Sequence, residues 1–171
     1  SAASDVYKRQ LYHAKAYSPA IGDVVATSDQ EAGTVDIVFI MADGAKPGPE
    51  MINGLKGYLQ DKTIRPMTDL VNVSAPEEVP YTIGLTYYIN RSDSAKAVTI
   101  QAAVAQAVAD YQTWQRAIGR DINPSKLVAM VMEAGAKRVT VTAPTYTAVA
   151  ATKVSALQGE ATVTYGGLED D

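Results

Sequence analysis

Between Tyr81 and Ile89 the side chains alternate in character. Tyr81, Ile83, Leu85, Tyr87 and Ile89 fall on one side of an extended chain, and Thr82, Gly84, Thr86 and Tyr88 on the other. Successive side chains of a strand point to opposite faces, so this pattern predicts a long strand with one face in a core. A few residues later the period changes. Ala97, Ile100, Val104, Val108, Tyr111 and Trp114 recur at three- and four-residue steps. That spacing predicts one apolar stripe on a helix from about Ala95 to Ala117, capped by Ser92, Asp93 or Ser94 and packed on the strand before it. The many alanines of this helix permit a close approach to a sheet.

The rest of the chain extends the same alternation of types. Ser4 or Asp5 can cap a first helix over Asp5 to Ala16, ended by Pro19 and Gly22. Val24 to Ala26 reads as a short strand and Glu31-Ala32-Gly33 as a turn. Thr34 to Met41 is a strong strand with Val35, Ile37, Phe39 and Met41 on one face. Val38 and Ile40 make its other face apolar too, which predicts a central position in its sheet. Asp43 to Pro49 is a loop. Ile52, Leu55, Tyr58 and Leu59 then carry a helical stripe. Val71 and Val73 mark a further strand, and Asn123-Pro124 opens a helix with Leu127, Val128 and Val131 as core residues and Gly135 as its stop. Lys137 to Ala143 and Ala161 to Tyr165 are the last strands, followed by a solvated tail, Glu169-Asp170-Asp171. These elements predict an α+β fold of two small lobes, residues 1–78 and 79–171, each a mostly antiparallel sheet with helices packed on one face. The break is placed at Ser74 to Glu78.

Composition narrows the function classes. A chain of 171 residues fits one domain or two small ones, and 47% hydrophobic with 20% charged residues is ordinary for a globular chain. Without cysteine there is neither a disulfide framework nor a thiolate metal site. The net charge of -4 and the scattered lysines and arginines argue against a nucleic-acid partner. No apolar run reaches the ~20 residues of a membrane span, so no membrane insertion is expected. The start at Ser1-Ala2-Ala3-Ser4 reads as a chain that is processed, cut from a longer protein or left by a removed tag.

The residues that could carry chemistry do not converge in the sequence, and no catalytic, cofactor-binding or metal-binding residue is assigned. His13 is the single histidine and sits on the first helix beside Tyr12, where a structural role is expected over membership of a triad. Glu77-Glu78 and Glu169-Asp170-Asp171 are adjacent acids, read as solvated faces and not as a convergent pair or metal site. Gly44-Ala45-Lys46-Pro47-Gly48 lacks the ending of a phosphate loop and is broken by proline. Gly166-Gly167 reads as a flexible exit. Asn72-Val73-Ser74 and Asn90-Arg91-Ser92 match a glycosylation triplet that short sequences meet by chance. Ten tyrosines against one phenylalanine and one tryptophan suit sheet surfaces or interfaces, with Tyr88 and Tyr146 facing outward. Arg65 and Asp69 flank a proline turn and are expected to pair there.

An ordered set of landmarks resembles the C-terminal part of the baseplate J-like proteins of contractile phage tails. Asp5, Tyr7 and Lys8 with Tyr12-His13-Ala14 resemble that family's first helix, and Gly22-Asp23-Val24 and Gly33-Thr34-Val35-Asp36-Ile37-Val38 its first two strands. Arg65-Pro66-Met67-Thr68-Asp69 is similar to its Arg-Pro-Leu-Thr-Asp step, with Met67 in the leucine place, and Val79-Pro80-Tyr81 to its Val-Pro-Tyr step. Gly119, Asp121-Ile122, Ser125 and Leu127 look like its second helix entry; Gly135, Arg138-Val139, Val141 and Ala143-Pro144 resemble its next strand. Ala150 to Ser155 departs from the family pattern. The resemblance implies a non-enzymatic structural component of a phage or prophage-like contractile tail, with a further region before Ser1. Its implied partners are other baseplate proteins and copies of itself in a ring, in a virion tail baseplate assembled in the bacterial host cytoplasm. It implies no cofactor. The alternative is a carbohydrate-binding or carbohydrate-cleaving domain of a tail or cell-surface protein, which would need a concave site lined by aromatics and two convergent carboxylates.

Overall fold

The computed structural model of the chain describes residues 2–29, 31–61 and 70–171, with side chains from Lys8 onward. The chain divides into two compact units, Ser1–Glu77 and Glu78–Asp171. The α+β class expected from the sequence is the class observed, with open sheets. The Arg65–Asp69 pairing lies outside the described residues.

In the first unit, helix α1 (Ala2–Tyr17) leads into strands β1 (Ile21–Asp29) and β2 (Thr34–Met41), then helix α2 (Pro49–Gln60) and strand β3 (Leu70–Ser74). Because α1 begins at Ala2, Ser4 and Asp5 lie inside its first turns and are not its caps. Strand β1 is far longer than the Val24–Ala26 core of its sequence signal, since antiparallel pairing with β2 carries it out to Asp29. The turn between them is made locally: the Asp29 carboxylate accepts from the backbone N–H groups of Glu31 and Ala32, both at 3.1 Å, and Gly33 takes a φ of 65°. Strand β2 is central, antiparallel to β1 and parallel to β3. Val35, Ile37, Phe39, Leu55, Leu59 and Val71 are fully buried in one cluster under α1 and α2. Each such side chain contributes roughly 1.5–3 kcal/mol relative to exposure. Pro49 supplies the first residue of α2, where its missing N–H costs nothing. The glycosylation-like Asn72 is used on the sheet, where its amide donates to Asp36 across the β2–β3 ladder at 2.9 Å.

The second unit runs β4 (Glu78–Tyr81), β5 (Gly84–Asn90), a 3-10 turn (Arg91–Lys96), α3 (Ala97–Gln115), α4 (Pro124–Glu133), β6 (Arg138–Ala143), β7 (Val154–Leu157) and β8 (Thr162–Glu169). The expected single strand Tyr81–Ile89 is two. The chain breaks at Thr82-Ile83, and β4 pairs in parallel with β7 while β5 sits between β6 (antiparallel) and β8 (parallel). The alternation survives the break: Tyr81, Ile83, Leu85, Tyr87 and Ile89 are all buried. They share one core with Ile100, Val104, Val108 and Tyr111 of α3 and Leu127 and Val131 of α4. Val128 is only half-buried, because α4 turns a narrower face inward than its sequence suggests.

One helix cap and the C-terminus also differ from expectation. Asn90, not Ser92, Asp93 or Ser94, accepts from the Ser92 N–H at 3.4 Å, because a 3-10 turn intervenes before α3. Asn123 caps α4 as expected, accepting from the Ser125 N–H at 3.0 Å. Gly166 and Gly167 are not an exit. They lie within β8, where a Cβ on Gly166 would come within 2.4 Å of the Tyr88 ring, and Gly167 takes a φ of 105° beside a register shift in the β5–β8 ladder.

Candidate interaction surfaces

His13 is held edge-on to Tyr12 (5.3 Å) and to Tyr58 (6.4 Å), which in turn packs on Tyr17 (5.3 Å). The single histidine therefore serves an aromatic cluster between α1 and α2. Among the described residues, no three His, Cys, Asp or Glu side chains converge as a metal site. Of the adjacent acids, Glu77, Asp170 and Asp171 are exposed as expected, while Glu78 and Glu169 are partly covered by ion pairs. Glu78 pairs with Arg116 at 2.7 Å, Asp170 with Arg91 at 2.7 Å, and Glu169 with both Arg138 (2.6 Å) and Lys137 (3.4 Å).

One polar centre organises the end of α3. Gln115 is fully buried, and its side-chain oxygen accepts from the Asn123 N–H at 3.0 Å and lies 2.9 Å from the Tyr111 hydroxyl. Its amide nitrogen donates to the Asp121 carbonyl at 2.9 Å, and its own carbonyl accepts from the buried Ser155 hydroxyl at 2.9 Å. A buried amide with every group paired ties α3 to the α3–α4 loop and to β7. Burial pushes the Tyr111 hydroxyl well above the usual tyrosine range and Tyr81 up to about 12. Beside it, Asp121 accepts from the Tyr146 hydroxyl at 2.6 Å and from the Val149 N–H at 2.8 Å, and these bonds hold its carboxyl below the ordinary value and raise Tyr146. Tyr146 is 62% exposed and faces outward as its sequence position suggests, but its hydroxyl is committed to that loop.

The face of the β6–β5–β8 sheet opposite the core carries threonines in register. Thr140, Thr86 and Thr164 form one cross-strand row. In the next, Arg138 lies over the half-buried Tyr88 ring, 3.8 Å from its centre, while its guanidinium grips Glu169. That bidentate contact, with Lys137 beside it, holds the Glu169 carboxyl down to about 2.

A shallow groove of about 380 Å3 runs between α3 and α4, floored by Ala103, Ala107, Met130 and Ala134 and edged by Gln106, Asp110 and Glu133. No aromatic ring lines it. Asp110 is the only charged residue between Ala97 and Gln115. Elsewhere on α3 Val98 is 81% exposed, and Ala102, Ala105 and Ala109 continue its exposed apolar stripe. Sequence reasoning read only the inward stripe of this helix. The signal for the outer face was the lack of charge opposite it. On the first unit, the outward side of α1 presents Lys8, Arg9, Tyr12 and Lys15, with Tyr12 70% exposed. No helix among the described residues is long and apolar enough to cross a membrane.

Comparison with known proteins places both units. The Baseplate J-like central domain matches residues 1–75, and the Baseplate J-like protein C-terminal domain matches residues 82–165. Baseplate protein J of Escherichia phage P2 is 26% identical over 133 residues, covering 78% of this chain and 43% of that protein. The chain thus spans less than half the length of that relative. A chain in the cryo-EM structure of the anti-feeding prophage (AFP) baseplate, 6-fold symmetrised, shares the fold. Its TM-score is 0.54 at 16% identity, over 85% of this chain and 35% of that one.

Proposed function

This chain belongs to the baseplate J-like family, and we propose from that premise that it is a structural part of a contractile-tail baseplate, of a phage or a prophage-like injection device. The observation that carries the reading is the tandem of two family domains, in order, over nearly the whole chain. The proposed partners are other baseplate proteins and further copies of this chain in a ring, in a virion tail baseplate assembled in the host cytoplasm. The proposed mode of action is contact, not catalysis. Rigid α+β units hold neighbours through their surfaces, and bistable interfaces of this kind allow a ring to rearrange when a tail fires.

The full-length protein, co-expressed with the proteins encoded beside it, should co-elute with them as a stable complex on a sizing column. Hydrolysis of a cell-wall glycan by the purified chain, lost on replacing one acidic residue, would overturn the proposal in favour of an enzyme.

A further inference from the structure

The α3–α4 groove and the outward side of α1 are opposite in charge and alike in being uncovered by the described residues of their own units. The groove has a small-residue floor that lets another helix approach closely, and its charged edges, Asp110 and Glu133, are both acidic. The outer side of α3 carries a narrow apolar stripe, Val98, Ala102, Ala105 and Ala109, among exposed threonine and glutamine. Helix α1 buries Gln10 and Ala14 on one side and presents Lys8, Tyr12 and Lys15 on the other, at i, i+4 and i+7, with Arg9 adjacent. An exposed tyrosine between cations is the kind of side chain that anchors an interface, apolar in its ring and polar at its tip.

We propose that the α3–α4 groove of one copy receives α1 of a second copy of this chain, with Tyr12 on the alanine floor and Lys8 and Lys15 against Asp110 and Glu133. The contact is head-to-tail, since each copy offers a helix and accepts one. Repetition of such a contact closes a ring or extends a filament. The choice of a second copy as occupant rests on the reading of the chain as a ring-forming part.

The chain has no cysteine, so a single introduced thiol reports one position cleanly. Chains carrying Tyr12→Cys and chains carrying Gln106→Cys, separately tagged, are mixed and oxidised. The expected result is a mixed-disulfide heterodimer well above that formed by Tyr12→Cys with Thr162→Cys, whose position is exposed on β8. Adding Lys8→Glu and Lys15→Glu to the Tyr12→Cys chain should drop the heterodimer to the control level. Adding Asp110→Lys and Glu133→Lys to the Gln106→Cys chain should then restore it. A yield equal to the control, or one indifferent to charge reversal, overturns the contact. So does a Gln106→Cys chain that crosslinks to a baseplate neighbour in place of the second copy. In either case the co-elution of full-length protein with its neighbours is read separately, so the loss of this contact and the loss of the baseplate reading are distinct results.

Discussion

Tyr111 and Gln115, one turn apart on α3, are both fully buried, with 2.9 Å between the tyrosine hydroxyl and the glutamine side-chain oxygen. The pair closes the C-terminal end of the second unit's core by satisfying the loop that follows. Gln115→Leu keeps the volume but leaves the Asn123 N–H and the Asp121 carbonyl without their partner. Each buried orphan costs on the order of 1–3 kcal/mol, so a loss of about 3 kcal/mol in urea unfolding is expected. Tyr111→Phe, which leaves fewer groups unpaired, should lose about 1 kcal/mol.

Val104 is fully buried at the centre of the cluster that joins α3 to β5. Val104→Asp places a charge there with no partner, and a loss of several kcal/mol, roughly 3 or more, is expected. Val98→Asp, on the exposed side of the same helix, should change the melting temperature little. Equal effects of the two variants would show that the stripe does not face the core.

The Glu169 carboxyl is held down to about 2 against its ordinary 4.5 by the Arg138 and Lys137 contacts. A depressed carboxylate stabilises the fold above its unfolded value and loses that contribution as pH falls through its folded value. Stability should therefore decline between about pH 4.5 and 2. Glu169→Gln should flatten that part of the curve, measured as midpoint of denaturation against pH, and should leave the slope at neutral pH unchanged.

Two glycines separate a tight approach from an open one. A Cβ on Gly22 would meet the Met41 carbonyl oxygen at 2.6 Å, and that backbone cannot swing aside. Gly22→Ala should cost about 1–3 kcal/mol by overpacking the start of β1. Gly57 lies in α2 with nothing within 4 Å of its added Cβ. Gly57→Ala should add about 0.5–1 kcal/mol, because a helix interior favours alanine over glycine. Calorimetry on both variants reads the opposite signs directly.

The residues that set burial were legible in the sequence because each periodicity names a face. Thr34–Met41, the Ile100–Tyr111 stripe and the Asn123 cap all lie where their spacing puts them. What spacing does not name is the neighbour. Nothing local in Tyr81–Ile89 says that its first residue belongs beside Leu157 and the rest beside Val141 and Val163. The short β7 carries too few apolar positions, Val154 and Leu157, to announce itself. Glu169 read as tail because its partners, Lys137 and Arg138, are distant in sequence. Gln115 falls outside the apolar stripe read from the sequence, because a polar residue declares its burial only through partners distant in the chain.

The pairing of β4 with β7, and of β5 with β8, also sets an order of assembly. The β1–β2 hairpin needs only its own turn and can form as soon as it is made. Strand β4 waits for Val154 and the parallel edge of β5 for Thr162, so both ladders close across nearly the full length of their unit. Long loops of this kind must be closed before their contacts reward the closure, and such topologies fold slowly. During synthesis the first unit is therefore finished while the second still holds β4 and one edge of β5 unpaired, and that edge stays open to other nascent chains until β8 has emerged.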